Sequence, residues 1–247
     1  MTRFKLTLEY DGGPFVGWQR QHNGLSIQQV LEEAVLATVQ ETTTAYGAGR
    51  TDAGVHALGQ IAHIDIEKAI EPHRLMAALN FHMKPHPIAV KACDVVTTDF
   101  HARFSATSRA YLYRIVSRRA PLVIDRGHAW HLVSELDVAA MHAAAQRLVG
   151  HHDFTSFRAT ICQAPSPVKT LDRLDVTRLN DEIRVITEAR SFLHHQVRNM
   201  VGTLRLVGEG RWSADDVTRA LEARDRAAGG PTAPPDGLYL THVIYGP

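Results

Sequence analysis

Two hydrophobic periods, one of strands and one of helices, run through both halves of this chain, and their order constrains the fold more than any other feature. Phe4, Leu6, Leu8 and Tyr10 alternate with Lys5, Thr7 and Glu9, as in a half-buried strand, and Asp11-Gly12-Gly13-Pro14 breaks the pattern. Ser26 offers a helix N-cap, with Gln29 closing a capping box. Ile27, Val30, Leu31, Ala34 and Val35 then form an apolar stripe at helical spacing. Residues 60–66 and 88–96 read as strands. Between them Pro72 sits near the start of a helix that carries Leu75 and Leu79 one turn apart.

The second half repeats the mixture. Residues 110–116 alternate, with Tyr111, Tyr113 and Ile115 on one face. Residues 137–149 read as a helix stopped by Gly150. Residues 171–178 and 183–189 form a hairpin pattern around Asn180-Asp181. Leu193, Val197, Met200, Val201 and Leu204 trace a strong helical stripe, Ser213 caps a further helix through Leu221, and 238–245 reads as a last strand. Strands and helices mix without strict β-α-β alternation. The expected class is therefore α+β: two similar mixed domains, antiparallel sheets covered by helices on one face, divided as 1–105 and 106–247.

Composition narrows the partners. Lys and Arg number 27 against 26 Asp and Glu, a net charge of +1, so attraction to a polyanion must rest on a local patch. Arginines 103, 109, 114, 118, 119 and 126 cluster mid-chain and interleave with Tyr111 and Tyr113, a mixture suited to phosphate contact plus base stacking, and equally to a solvated strand edge. No stretch is long and apolar enough to span a bilayer, and the start carries no export-signal pattern. Cys93 and Cys162 form no C-x-x-C motif, read as two inert thiols, and suit a reducing compartment, by default the cytosol.

The most informative segment is Gly49-Arg50-Thr51-Asp52-Ala53-Gly54-Val55-His56-Ala57. It sets a carboxylate inside a turn in which glycines 47, 49 and 54 permit left-handed angles and close backbone approach. A turn aspartate usually bonds its own backbone. Here the whole string resembles the catalytic signature of the TruA family of pseudouridine synthases. Further segments resemble the family in the same order. They are Tyr10-Asp11-Gly12 with Gly17-Trp18-Gln19-Arg20-Gln21, then Arg103-Phe104-Ser105-Ala106-Thr107 with Arg109-Ala110-Tyr111-Leu112-Tyr113. Gly150-His151-His152-Asp153-Phe154, Phe192-Leu193-His194-His195-Gln196-Val197-Arg198-Asn199-Met200, and Gly230-Pro231-Thr232-Ala233-Pro234 with Gly237-Leu238-Tyr239 follow. The least family-like stretch is 161–168, read as a variable loop.

The resemblance implies a cytoplasmic homodimer that isomerises uridine to pseudouridine at positions 38, 39 and 40 of the tRNA anticodon stem-loop, with no cofactor and no metal. The target base must be flipped out of its stack before a side chain reaches it. Asp52 matches the catalytic carboxylate. It attacks C1′, adds to C6 of the uracil, or removes the 2′ proton, and the sequence leaves the three open. Tyr111 matches the tyrosine that stacks on the target uracil, its hydroxyl placed to help move the C5 proton. Arg198 matches an arginine set against the aspartate, where a cation keeps a buried carboxylate ionised. Arg50 matches an arginine that holds the flipped state. The resemblance thus puts the catalytic loop in the first domain and the Tyr strand and Arg helix in the second. His194 and Arg198 stand at i, i+4 and would share a helix face, though packing or capping is the simpler role for His194 and His195. Trp18 and Gln19 read as structural.

Two rival readings remain weaker. A pure RNA-binding module explains the Arg/Tyr stretch but not the loop around Asp52. A metallohydrolase built on His151, His152, Asp153, His194 and His195 lacks the H-E-x-x-H spacing that puts two ligands on one helix face.

Overall fold

The computed structural model describes residues 1–246. Along the chain run β1 (Thr2–Tyr10), α1 (Ile27–Val39), β2 (Tyr46–Gly47), β3 (His56–Ile66), α2 (Pro72–His82) and β4 (Ile88–Val96). Then come β5 (Ala106–Ser117), β6 (Trp130–Leu132), α3 (Val138–Ala145), β7 (Gly150–Asp153), β8 (Val168–Leu179), β9 (Glu182–Ala189), α4 (Gln196–Gly208), α5 (Ala214–Ala223) and β10 (Leu238–Tyr245). The chain divides into two compact units, 1–107 with the segment from Tyr239 onward, and 108–238. Both mix strands and helices, so the class is α+β.

In the first unit β1 pairs antiparallel with both β3 and β4, β2 pairs antiparallel with β3, and β10 runs parallel to β3 through Tyr239↔His56 and Leu240↔Ala57. Chain order puts β10 after the second domain's elements, but its pairing joins it to the first unit. A strand's partner is decided by hydrogen bonding across the fold, which local periodicity does not encode. Phe4, Leu6 and Leu8 are fully buried and share a sheet face with Ile64 through the Phe4↔Ile64 and Leu6↔Ala62 register. Ile27, Leu31 and Val35 of α1 and Leu75 and Leu79 of α2 are buried too. Each such apolar side chain contributes about 1.5–3 kcal/mol on leaving water. Helix α1 starts at Ser26, whose Oγ accepts from the Gln29 amide. The expected capping box is half made, because the Gln29 side chain turns to donate to Glu33 Oε1 one turn on.

In the second unit β5 pairs antiparallel with β9 and parallel with β6, β9 with β8, and β8 with β7. The hairpin between β8 and β9 turns at Asn180, which takes a left-handed φ of 58°. Tyr113 and Ile115 lie opposite Val185 and Ile183, and all four are buried. Helix α5 carries the complete capping box, Ser213 with Asp216. Helix α3 ends at Ala145, not at 149. The amides of Arg147 and Leu148 bond three residues back, to Ala144 and Ala145, and the Gln146 side chain donates to the Leu174 carbonyl. The last turn thus tightens and is pinned to β8. No helix among the described residues is long and apolar enough to cross a membrane.

Candidate active site

Asp52 lies half-buried on a loop held by hydrogen bonds on both sides, upstream to the first unit's sheet. On the upstream side Ala48 donates to Ile61 O at 2.7 Å, and Gln60 Nε2 donates to Gly49 O at 2.9 Å. Thr51 is held twice: its Oγ1 meets the Tyr10 hydroxyl at 2.8 Å and its carbonyl accepts from the Trp18 amide at 3.0 Å. Downstream, Val55 N closes a turn on Asp52 O at 3.1 Å and Gly54 N donates to Phe15 O at 3.4 Å. Tyr10 is fully buried, and burial pushes its hydroxyl up to about 12 despite the bonds from Thr51 and Gln60, so it serves as a neutral strut. His56, one turn beyond the carboxylate, is buried, stacks on Tyr239 at 4.7 Å and lies 3.0 Å from Asp11 Oδ1.

The glycines divide their work differently from the sequence expectation. Within the loop only Gly54 is left-handed, with φ 77°. Gly47 gives room to the Trp18 ring, and a Cβ on Gly49 would meet nothing within 4 Å. The glycine with no room for a Cβ against the Thr51–Asp52 backbone is Gly17, outside the signature string. Its φ is 106°, and a Cβ there would lie 2.6 Å from Thr51 O and 3.1 Å from Asp52 C. Trp18 and Gln19 both make hydrogen bonds within the first unit. Trp18 braces the loop, and Gln19 donates to Gln28 Oε1 at 2.9 Å.

Gly17→Ala should therefore displace the carboxylate without touching it. A methyl group at a left-handed φ costs about 1–3 kcal/mol. A shift of about 1 Å at a reacting group costs up to about 10²-fold in rate. The expected result is a lower melting temperature and a kcat reduced toward that limit, with tRNA affinity largely kept. Wild-type kcat in this variant would show that the brace does not set the position of Asp52.

Arg50 is exposed on the same loop. In the second unit Tyr111 is half-buried on β5 opposite Thr187, its ring edge-on to Phe192 at 5.2 Å. Tyr113, two residues on, is fully buried and donates its hydroxyl to Pro234 O at 2.7 Å. Burial raises its ionisation far above the usual tyrosine range, which suits a core residue. Arg198 leaves α4 half-buried, and its Nε donates to Ala233 O at 2.7 Å while Ala233 N donates to Arg198 O at 3.1 Å.

Neighbouring residues brace that arginine. Asn199 donates to Phe157 O and accepts from Thr232 Oγ1, and Thr203 Oγ1 accepts from the Gly230 amide. The Gly230–Ala233 run is thereby laced to the helix that carries Arg198. Asn199 had no sequence signal beyond its place in a family-like segment, and Thr203, outside those segments, had none.

The shared helix face of His194 and Arg198 does not form. Helix α4 begins only at Gln196. His195 takes a left-handed φ of 62°, and Gln196 Oε1 caps Leu193 N at 2.8 Å, which leaves His194 ahead of the first turn. His151 and His152 lie on β7, where His151 Nδ1 meets Thr170 Oγ1 and His152 Nε2 meets Val149 O, and Asp153 takes the Thr155 amide and hydroxyl.

A family model described as tRNA pseudouridine synthase matches residues 7–105 and 144–246. A tRNA pseudouridine synthase A of Rhodospirillum centenum is 63% identical over 245 residues, covering 99% of this chain and 100% of the relative. Those of Paramagnetospirillum magneticum and Parvibaculum lavamentivorans are 61% and 59% identical, covering 99% of this chain and 96% and 100% of the relatives. Both the Asp52 loop and the Arg198 helix fall inside the matched segments, and on this full-length likeness the chain belongs to the tRNA pseudouridine synthase A family.

Proposed function

We propose that this chain isomerises uridine to pseudouridine at positions 38, 39 and 40 of the tRNA anticodon stem-loop, with Asp52 as its catalytic carboxylate. The observation that carries the reading is the loop itself. Thr51 and Gly49 before the carboxylate, and Gly54 and Val55 after it, are each tied by hydrogen bonds. A carboxylate held this way meets a flipped nucleotide with little reorganisation, which is how positioning lowers a barrier. The reaction breaks the bond between C1′ and N1 of the uracil, turns the base over, and joins C1′ to C5. The proton lost from C5 is balanced by one gained at N1, so nothing is oxidised and nothing is hydrolysed.

In this reading Tyr111 stacks on the displaced uracil and its hydroxyl helps carry the C5 proton. Arg198, fixed by its bond to Ala233 O, is the arginine of the catalytic set. Arg50, exposed beside the carboxylate, holds the flipped state of the RNA. The working form is a cytoplasmic homodimer with the tRNA lying across both subunits. A net charge of +1 per chain makes a surface pooled from two subunits reasonable.

The test is to incubate the purified chain with unmodified tRNA transcripts and map pseudouridine along them. Product at 38, 39 or 40 is expected. A transcript bearing uridines there that stays unmodified under saturating enzyme would overturn the assignment.

A further inference from the structure

Phe4, Leu6 and Leu8 turn one face of the first unit's sheet into the buried core, so Arg3, Lys5 and Thr7 lie on the other. Their partners across the pairing, Asp65, His63 and Ile61, share that second face. A ladder of rings is built there. His63 stacks on Tyr46 with centroids 5.0 Å apart and planes 16° from parallel, and it meets His101 edge-on at 4.7 Å. His101 lies 4.4 Å from Phe104, and the Arg103 guanidinium sits 5.6 Å from the centre of the Phe104 ring.

The ladder is tied to the backbone, and its imidazoles are neutral. His63 Nδ1 accepts from the Ala102 amide, and His101 Nδ1 accepts from the Arg103 and Phe104 amides. A ring nitrogen that accepts an N–H carries no proton, so neither ring is a cation in this geometry. Consistently, burial chiefly, with Arg3 and His101 nearby, pushes His63 down to about 4, and burial also lowers His101. Arg3 fastens the segment from below, donating to Thr98 O and Phe100 O while pairing with Asp65, and the Tyr245 hydroxyl donates to Ala102 O. The acid of this stretch, Asp99, is turned to Thr97 and the Phe100 amide within its own loop.

The ends of the ladder stay open. Tyr46 is 48% exposed and Phe104 is 72% exposed. Two large exposed aromatic rings at the ends of one braced ladder, with the Arg103 guanidinium over the Phe104 ring, mark a contact site rather than scattered surface hydrophobes. Flat aromatic faces beside a guanidinium suit a nucleobase and its phosphate, since every base has a π-face to stack and the cation complements the backbone charge.

We propose that Tyr46 and Phe104, held by His63 and His101 and flanked by Arg103, form a stacking platform for an unpaired base of the tRNA, a contact additional to the Asp52 site. Asp52 precedes the start of β3, whereas Tyr46 pairs with His63 near the strand's far end, so the platform engages a different nucleotide from the one undergoing reaction. The proposal rests on tRNA being the substrate.

The experiment measures the Kd of the full chain for an unmodified tRNA transcript, by fluorescence anisotropy at one fixed salt concentration, for wild type, Phe104→Ala, Tyr46→Ala and Phe104→Trp. Base stacking on an aromatic side chain is worth about 1–3 kcal/mol. Each alanine variant should therefore bind about 5- to 160-fold more weakly, with the loss falling on KM rather than kcat. Phe104→Trp, which keeps a ring face, should bind like wild type. Alanine variants with wild-type Kd overturn the platform. So does a Phe104→Ala chain whose weaker binding accompanies a change of oligomeric state in light scattering, since the patch would then be a protein interface. A wild-type chain that binds tRNA tightly but forms no pseudouridine would sink the functional reading and leave the platform to be judged by Kd alone. One that binds no tRNA sinks both.

Discussion

Asp52→Asn is expected to fold, to bind tRNA, and to form no pseudouridine. The substitution replaces one carboxylate oxygen by an amide of nearly the same size, so the loop that holds position 52 keeps its geometry. That geometry belongs to other groups: the Thr51 carbonyl and hydroxyl, the Gly49 carbonyl, and the amides of Gly54 and Val55. What is lost is the negative charge, and all three routes open to Asp52, attack at C1′, addition at C6 and removal of the 2′ proton, need it. The measurement is pseudouridine formed in single-turnover assays, alongside Kd for tRNA and a thermal melt. Product above the level of contaminating wild type would remove Asp52 from the chemistry, while lost binding with an intact melt would make it an RNA contact instead.

Tyr111→Phe should lower turnover by about 10²–10⁴-fold, the range for a lost general acid–base group, while tRNA affinity stays close to wild type. The phenyl ring keeps its edge-on packing against Phe192 and its place opposite Thr187, so stacking on a base survives. Only the hydroxyl disappears. Near-normal turnover would assign Tyr111 to stacking alone. Tyr113 does not inherit the proton-transfer role in that case, because its hydroxyl is buried against the Pro234 carbonyl. Tyr113→Phe leaves that carbonyl without its donor and should show its effect in stability.

Much of the molecule follows from local pattern. β4, β10, the β8–β9 hairpin and the caps at Ser26 and Ser213 lie where alternation, turn residues and capping chemistry put them, since each depends on neighbours only a few residues away. The misplaced ends have different causes. The Gln146 side chain reaches Leu174 on β8 and the last turn of α3 tightens, while Gln196 caps Leu193 and starts α4 late. The first partner is distant in sequence, and the second is a local cap that the apolar stripe alone does not reveal.

The candidate site shows the same division. The sequence by itself determined the α+β class, the family, and which carboxylate, tyrosine and arginines to examine, because a long string such as Gly49–Ala57 is specific even without coordinates. Tertiary structure alone decided how Asp52 is held. Tyr10, Gly17, Trp18 and Gln60 converge on its loop from β1, the segment before α1, and β3, over chain separations of 11 to 50 residues among their bonds. It also decided that Arg198 is anchored by Ala233, and that the C-terminal strand completes the first unit. Periodicity reports which face of an element is apolar. The partner of each hydrogen bond is set only when distant segments are brought together.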